Sequence, residues 1–273
     1  MPEGIALDAG TVSAGLTRFI REELAKTGFG RLILGISGGL DSAVVAYLAV
    51  NAIGKENVVG LIMPYKTSNP ENMADAEILI ESLGIKKRIV DISDPVNSYF
   101  ERFPDADNIR RGNKMARERM SVLYDFSAME KALVIGTSNR SEILLGYGTI
   151  FGDLACAINP LGDLYKSQVR ALAKHLGVPD RIIAKIPSAD LHKGQSDEGE
   201  FGFSYEEVDR LLHLMIDKKH TPSQCAEKGF SEEMIRKVNN MIEKNRFKGS
   251  PPVIARLGGI LKKSGSGVPG DAS

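Results

Sequence analysis

Apolar and polar positions follow two rhythms along this chain, and their alternation lays out an α/β fold. Leu16, Phe19, Ile20 and Leu24 recur at helical spacing, and Gly28 fits a stop. The first thirty residues therefore predict a helix that covers the sheet or a subunit contact. Arg31–Ile36 is a short, mostly apolar run of the kind that forms a buried strand. Helical spacing returns at once, with Ala43, Val44, Tyr47, Leu48 and Ile53 on one face. Val58–Met63 predicts a second buried strand, ended by Pro64 and the polar loop Tyr65-Lys66-Thr67-Ser68. Asn69 as cap and Pro70 at the first turn start a helix that runs to Leu83, with Gly84 closing it. Arg88–Ile92 predicts a third strand, Pro95–Asp107 is less regular, and Met115, Arg119, Met120, Leu123 and Tyr124 mark another helix. Ala132–Ile135 predicts a fourth strand. Strands and helices alternating at this spacing predict a Rossmann-like, doubly wound parallel sheet.

Beyond the fourth strand the pattern loosens. Gly146–Pro160 is rich in glycine and apolar residues, too irregular for a helix and too long for a tight turn. It is either a buried connection or a substrate loop, and the second ligand loop that a two-substrate site needs favours the latter. Ser167–Leu176 predicts a helix, and Pro187–Phe203 is polar, glycine-rich and expected to be mobile. Ser204 with Glu207, and Thr221 with Gln224, are capping boxes. A third helix starts at Ser231, with Met234, Ile235, Val238, Met241 and Ile242 on one face. The organisation expected is a single domain over 1–263, with a C-terminal helical extension (about 204–247) packed on it and a disordered tail over 264–273.

Charge and composition narrow the class. Lysine plus arginine number 35 against 35 acidic residues, a balance that gives no support for a nucleic-acid partner. Cys156 and Cys225 are the two cysteines, too few for a disulfide framework, and they suit a reducing cytoplasm. No basic and apolar leader opens the chain, and no apolar run reaches membrane-spanning length. The four histidines show no ligand spacing; His192, in the predicted mobile stretch, is the one worth testing. Cys156 reads as a small buried hydrophobe rather than a nucleophile.

The chemistry concentrates between the first strand and its helix, at Gly35, Ile36, Ser37, Gly38, Gly39, Leu40, Asp41 and Ser42. Glycines there allow positive φ and close approach to the backbone, and a helix N-terminus attracts phosphate through open N–H groups and its dipole. Asp41 would repel phosphate, and makes sense if it holds a divalent cation that bridges the phosphates. A second small-residue turn, Gly136-Thr137-Ser138-Asn139, follows the fourth strand, with Glu142 about one turn into the next helix. The first stretch is neither a Walker A loop nor a dinucleotide fingerprint. It resembles the Ser-Gly-Gly-x-Asp-Ser pyrophosphate loop of ATP pyrophosphatases.

Six motifs in register narrow this further: Ser37-Gly-Gly-Leu-Asp-Ser42, Ala116-Arg-Glu-Arg-Met120, Gly136-Thr-Ser-Asn139 with Glu142, Asn159-Pro-Leu-Gly-Asp163 with Lys166, Pro187-Ser-Ala-Asp-Leu191 and Gln195-Ser-Asp-Glu198. Together they resemble the ammonia-dependent NAD synthetase family over roughly residues 15 to 258. The resemblance implies amidation of deamido-NAD through an acyl adenylate, with ATP as cosubstrate, ammonia as nitrogen donor, Mg2+ as cofactor and no fused glutaminase domain. It also implies a homodimer. ATP would lie on Gly35–Ser42, Thr137, Lys166 and Ser188; Asp41 and Glu142 would hold magnesium; Arg117 would hold deamido-NAD. Asp153 is a candidate acceptor for the proton of ammonium. Ile150-Phe151 stand where the common family pattern has lysine-tyrosine, and Ala157 where it has aspartate. Asn245-Arg-Phe-Lys-Gly-Ser-Pro-Pro252 replaces a stretch that often carries histidine-lysine before two prolines. These departures fall on the dinucleotide contacts and leave the ATP half intact. The competing readings are a tRNA thiolase or sulfur transferase with the same loop, and a module that senses ATP without turnover. The former usually needs reactive cysteines or a nucleic-acid surface. The paired acids Asp41 and Glu142 argue against the latter.

Overall fold

The computed structural model describes residues 4–188, 190, 196–250 and 253–255. Expectations that fall on Leu191, His192, Gln195, Pro251, Pro252 and the 264–273 tail lie outside the described residues. Four parallel strands, β1 (Arg31–Gly35), β2 (Val58–Ile62), β3 (Lys86–Ile89) and β4 (Ala132–Val134), lie in the order β3-β2-β1-β4. Ile33 sits opposite Val59 on one side and Val134 on the other. Ile135 forms one further parallel bridge to Ile158, so the end of the glycine-rich connection lies along the β4 edge.

Helices cover both faces, as a parallel sheet requires. Alternate residues of β1 point opposite ways. Leu32 and Leu34 join the core built by α1 (Ala9–Ala25), α2 (Leu40–Ile53), α3 (Pro70–Leu83), α7 (Lys166–Leu176) and α8 (Asp180–Ile183), whereas Ile33 faces α5 (Asn108–Glu130). α4 (Ser93–Phe100) packs against α5, and α6 (Arg140–Leu145) follows β4. A separate apolar cluster joins Leu145 and Tyr165 to α9 (Asp197–Phe201), α10 (Tyr205–Leu212), α11 (Pro222–Glu227) and α12 (Glu232–Asn245), so the C-terminal helices pack on the two elements that flank the site.

The structure adjusts several expectations. α2 is apolar on nearly every side, not on one face, because α1 and α7 cover the side away from the sheet. α1 accordingly packs on α2 and α7 rather than on the strands. Strand β3 starts and ends earlier than its apolar residues suggest. It is the sheet edge, where exposed lysines are tolerated, and Val90 still donates to the Ile62 carbonyl at 2.9 Å. Pro95 does not prevent α4, since it falls in the first turn, where its missing N–H has no helical partner. The capping boxes at Ser204 and Thr221 are present as read, and the helix expected from Ser231 has that serine as its cap.

Candidate active site

The strand order reverses between β1 and β4, and in open parallel sheets ligands bind in the crevice at that point. The turn after β1 is built around Gly38 at φ +75°. A Cβ there would lie 2.1 Å from the Asn72 carbonyl oxygen in α3, so the loop packs directly on helix backbone. The serines knit the loop to itself. Ser42 Oγ donates to the Gly39 carbonyl at 3.0 Å, lies 3.1 Å from Ser37 Oγ, and accepts the Ser37 N–H at 3.3 Å. They hold the loop's shape in addition to lining the cavity, a role that composition alone did not suggest.

The turn after β4 supplies the partner groups. Asn139, fully buried, caps α6 in a reciprocal box: its Oδ1 accepts the Glu142 N–H at 3.0 Å and its own N–H donates to Glu142 Oε2 at 3.2 Å. Its Nδ2 then reaches across the crevice to Asp41 Oδ1 at 3.1 Å. Lys166 opens α7, and its Nζ pairs with Asp41 Oδ2 and lies 3.4 Å from Glu142 Oε1. Asp197, 4 % exposed, stands close enough to act on all three electrostatically. Burial, and then Asp41 and Asp197, push the Glu142 carboxyl up to about 8 against the pull of Lys166. Burial opposes the charge on Lys166, but the carboxylates of Asp41 and Glu142 outweigh it and raise its pKa above the ordinary value. Carboxyl groups here outnumber the one lysine that serves them, and Glu142 answers by holding its proton near neutral pH.

A cavity of about 540 Å3 opens from this cluster. Of the residues read as ATP contacts, Gly35, Ile36, Ser37, Gly39, Leu40, Ser42, Thr137, Lys166 and Ser188 line it; Gly38 is buried against α3. Asp41 and Glu142 meet Lys166 at its edge. Asp153 also lines it, with Oδ1 accepting the Thr149 N–H at 2.8 Å. The cavity leaves the Asp153 side chain reachable, yet protein crowds it on the other sides, and this desolvation pushes its carboxyl up. Arg117, Ile150, Phe151 and Ala157 lie outside the cavity wall. Arg117 is exposed and donates to the Ile150 carbonyl at 3.3 Å, and Phe151, at φ +58°, is 58 % exposed.

Several lining residues were not singled out as site residues from the sequence. Arg119, two positions after Arg117, turns into the cavity, donates through Nε to the Met63 carbonyl at 3.0 Å, and is lowered in pKa by burial. Arg119 is among the residues that mark this helix and lies in the Ala116–Met120 motif, and that was the available signal. Lys185 lines the cavity, pairs with Asp75 and lies 3.4 Å from the Gly38 carbonyl. Lys248 also lines it and donates to the Gly146 and Gly148 carbonyls at 2.8 and 3.1 Å. The stretch that departs from the histidine-lysine pattern therefore still delivers a cation to the cavity.

The NAD synthase family profile matches residues 12–252, nearly the whole described chain. The chain belongs to the NAD synthase family. An NH3-dependent NAD+ synthetase of Chlorobaculum tepidum is 50% identical over 94% of this chain and 92% of its own length. Among solved NAD synthase structures, an NH3-dependent NAD synthetase from Campylobacter jejuni is 38% identical, covering 92% of this chain and 100% of its own, at a TM-score of 0.78. An NMN synthetase from Francisella tularensis is 32% identical, covering 92% and 99%, at a TM-score of 0.81.

Proposed function

We propose that this chain is an ammonia-dependent NAD synthetase that amidates deamido-NAD through an acyl adenylate, releasing AMP and pyrophosphate. The observation that carries the reading is the meeting of Asp41, Glu142 and Lys166 beside the Gly35–Ser42 loop, at the edge of one cavity at the strand-order reversal. A carboxylate is a poor acceptor for ammonia because its leaving group would be oxide. In the first half-reaction a nicotinate carboxylate oxygen attacks the α-phosphorus and pyrophosphate leaves. In the second, ammonia attacks the acyl carbon and AMP leaves with the bonding pair.

The protein's part is positioning and charge neutralisation. The loop N–H groups at the start of α2 cradle phosphate oxygens, and Lys166 shifts its ammonium from the carboxylates toward the departing pyrophosphate. Asp41 and Glu142 fit Mg2+, which takes one or two protein carboxylates and completes its shell with phosphate and water; bound there, it would neutralise charge growing on pyrophosphate. Asp41 and Glu142 share one lysine, and a Glu142 carboxyl held up to about 8 keeps a proton that a bound cation would displace, which is the physical ground for that assignment. Asp153, raised by burial, accepts the proton of ammonium on the oxygen that Thr149 leaves free. Arg117, Phe151 and Ala157, exposed, and the half-buried Ile150 lie where a second copy in a homodimer would meet the outer part of the dinucleotide. Both cysteines are free, in keeping with a cytoplasmic enzyme.

A second acceptor is favoured by one observation. Ile150, Phe151 and Ala157 bring no charge to the outer rim, so nicotinate mononucleotide, the acid that yields NMN, would lose little by lacking the adenylate half. The test measures AMP, pyrophosphate and amide product from ATP, magnesium and ammonium chloride, with each acid in turn and glutamine in parallel tubes. NAD and AMP forming one to one with ammonium, and little with glutamine, is the expected result. A higher kcat/KM with the mononucleotide overturns the choice of acceptor, and no AMP with either acid overturns the reaction.

A further inference from the structure

Asp209 is fully buried on α10, outside the cavity, and its carboxylate is divided between the two elements that carry the site. Oδ1 accepts the Ser141 hydroxyl at 2.5 Å. Oδ2 accepts the Ser167 N–H at 2.8 Å. Ser141 Oγ in turn accepts the Lys166 N–H at 3.0 Å. Two of the open N–H groups in the first turn of α7 are thus satisfied from outside the helix. The carboxylate comes from 42 residues further along the chain rather than from the usual local cap. The hydroxyl belongs to the residue next to Glu142. A buried carboxylate that makes no ion pair among the described residues is costly, and burial pushes this one up against the more distant pull of Lys166. An apolar residue on α10 would pack without that penalty, so the position does something besides fill space.

We propose that Asp209 is a positioning residue for adenylation: through Ser141 and the first turn of α7 it fixes Glu142 and Lys166 in their common register opposite Asp41. The inference rests on the reaction proposed above, and it gives the C-terminal helices a part in that reaction. Asp209 touches no ligand itself. Its removal frees α7 to slide relative to α6, which misplaces Lys166 when charge builds on pyrophosphate and leaves nucleotide affinity largely intact.

The test uses the full-length chain as wild type, Asp209→Asn, Ser141→Ala and the double variant. Pyrophosphate release gives kcat and KM, calorimetry gives ATP affinity, and circular dichroism at the assay temperature gives the folded fraction. Asp209→Asn is expected to lower kcat per folded molecule about 10- to 100-fold, the scale of a misplaced reacting group, while both KM values and the ATP affinity stay within about threefold. Because Asp209 acts through Ser141, the double variant should be no worse than the poorer single variant by more than about threefold. A kcat within about threefold of wild type overturns the proposal, as do losses that multiply in the double variant or that follow ATP affinity. Should Asp209→Asn not fold, Ser141→Ala carries the same expectation and the same refutation. Inactive wild type points instead to the wrong acceptor, so the two failures are separable.

Discussion

Glu130 and Glu142 stand at opposite edges of one sheet. Glu130 ends α5 at the amino edge, where Lys86 donates to it at 2.6 Å, Arg88 at 3.0 Å, and Arg31 lies at 3.7 Å. It is 5 % exposed because three long cationic side chains lie over it, not because the protein body surrounds it. Its pKa is lowered, by the Lys86 hydrogen bond first. Glu142, at the carboxyl edge, shares a single lysine with Asp41 and is pushed up to about 8. One carboxylate has three cations; at the other edge several carboxylates share one. The balanced cluster closes the end of the sheet. The unbalanced one holds a proton on Glu142 that a cation from outside could displace, and it lies beside the Gly35–Ser42 loop.

The comparison can be broken by substitution, and the largest effect is expected at the carboxyl edge. Asp41→Asn should lower pyrophosphate release at least about 10²- to 10³-fold, as for loss of a group aimed at developing charge. Near-normal release would remove Asp41 from the charge-handling set. Next comes Gly38→Ala, which forces a side chain into positive φ and against the Asn72 carbonyl. We expect about 1–3 kcal/mol of destabilisation in urea titration together with weakened ATP binding. An unchanged variant would mean that the loop moves away from α3 at no cost. Smallest is Glu130→Gln, expected to cost about 1 kcal/mol at low salt, less at high salt, with kcat unaltered. The sign with pH follows from its lowered pKa. Its stabilisation is complete above the unfolded glutamate value near 4.5 and is lost as pH falls below it, so wild type and variant should converge in acid. Convergence at alkaline pH would contradict that assignment.

The sheet was legible because β1 and β2 are unbroken apolar runs between strong turn signals, and buried parallel strands need nothing subtler. The edge strand was less legible: Lys86 and Lys87 look like loop, and only pairing with β2 makes them strand. In the candidate site, the ligand loop, Glu142 and Lys166 could be named because small residues and acids at strand ends follow local rules. Asp209 could not, since nothing beside it in sequence announces a site, and Arg119 and Lys248 sat in stretches already singled out without any local sign that theirs are the side chains that reach the cavity. Their significance comes from elements that meet only in the folded chain. The serines of the loop show the converse: their chemistry was legible, but not that they spend hydrogen bonds on each other.

The pairing that creates the crevice also dates its appearance during folding. Leu32 pairs with Val58 on one side and with Leu133 on the other, so β1 and β4 meet only after a loop of about a hundred residues is closed, whereas β1 and β2 meet across a short one. Asp41 and Lys166 are 125 residues apart. A nascent chain that has already shaped its first loop on β1 and α3 therefore has half of the candidate site and none of the groups opposite it. Competence arrives late and all at once, when β4 docks and brings α6 and α7 with it.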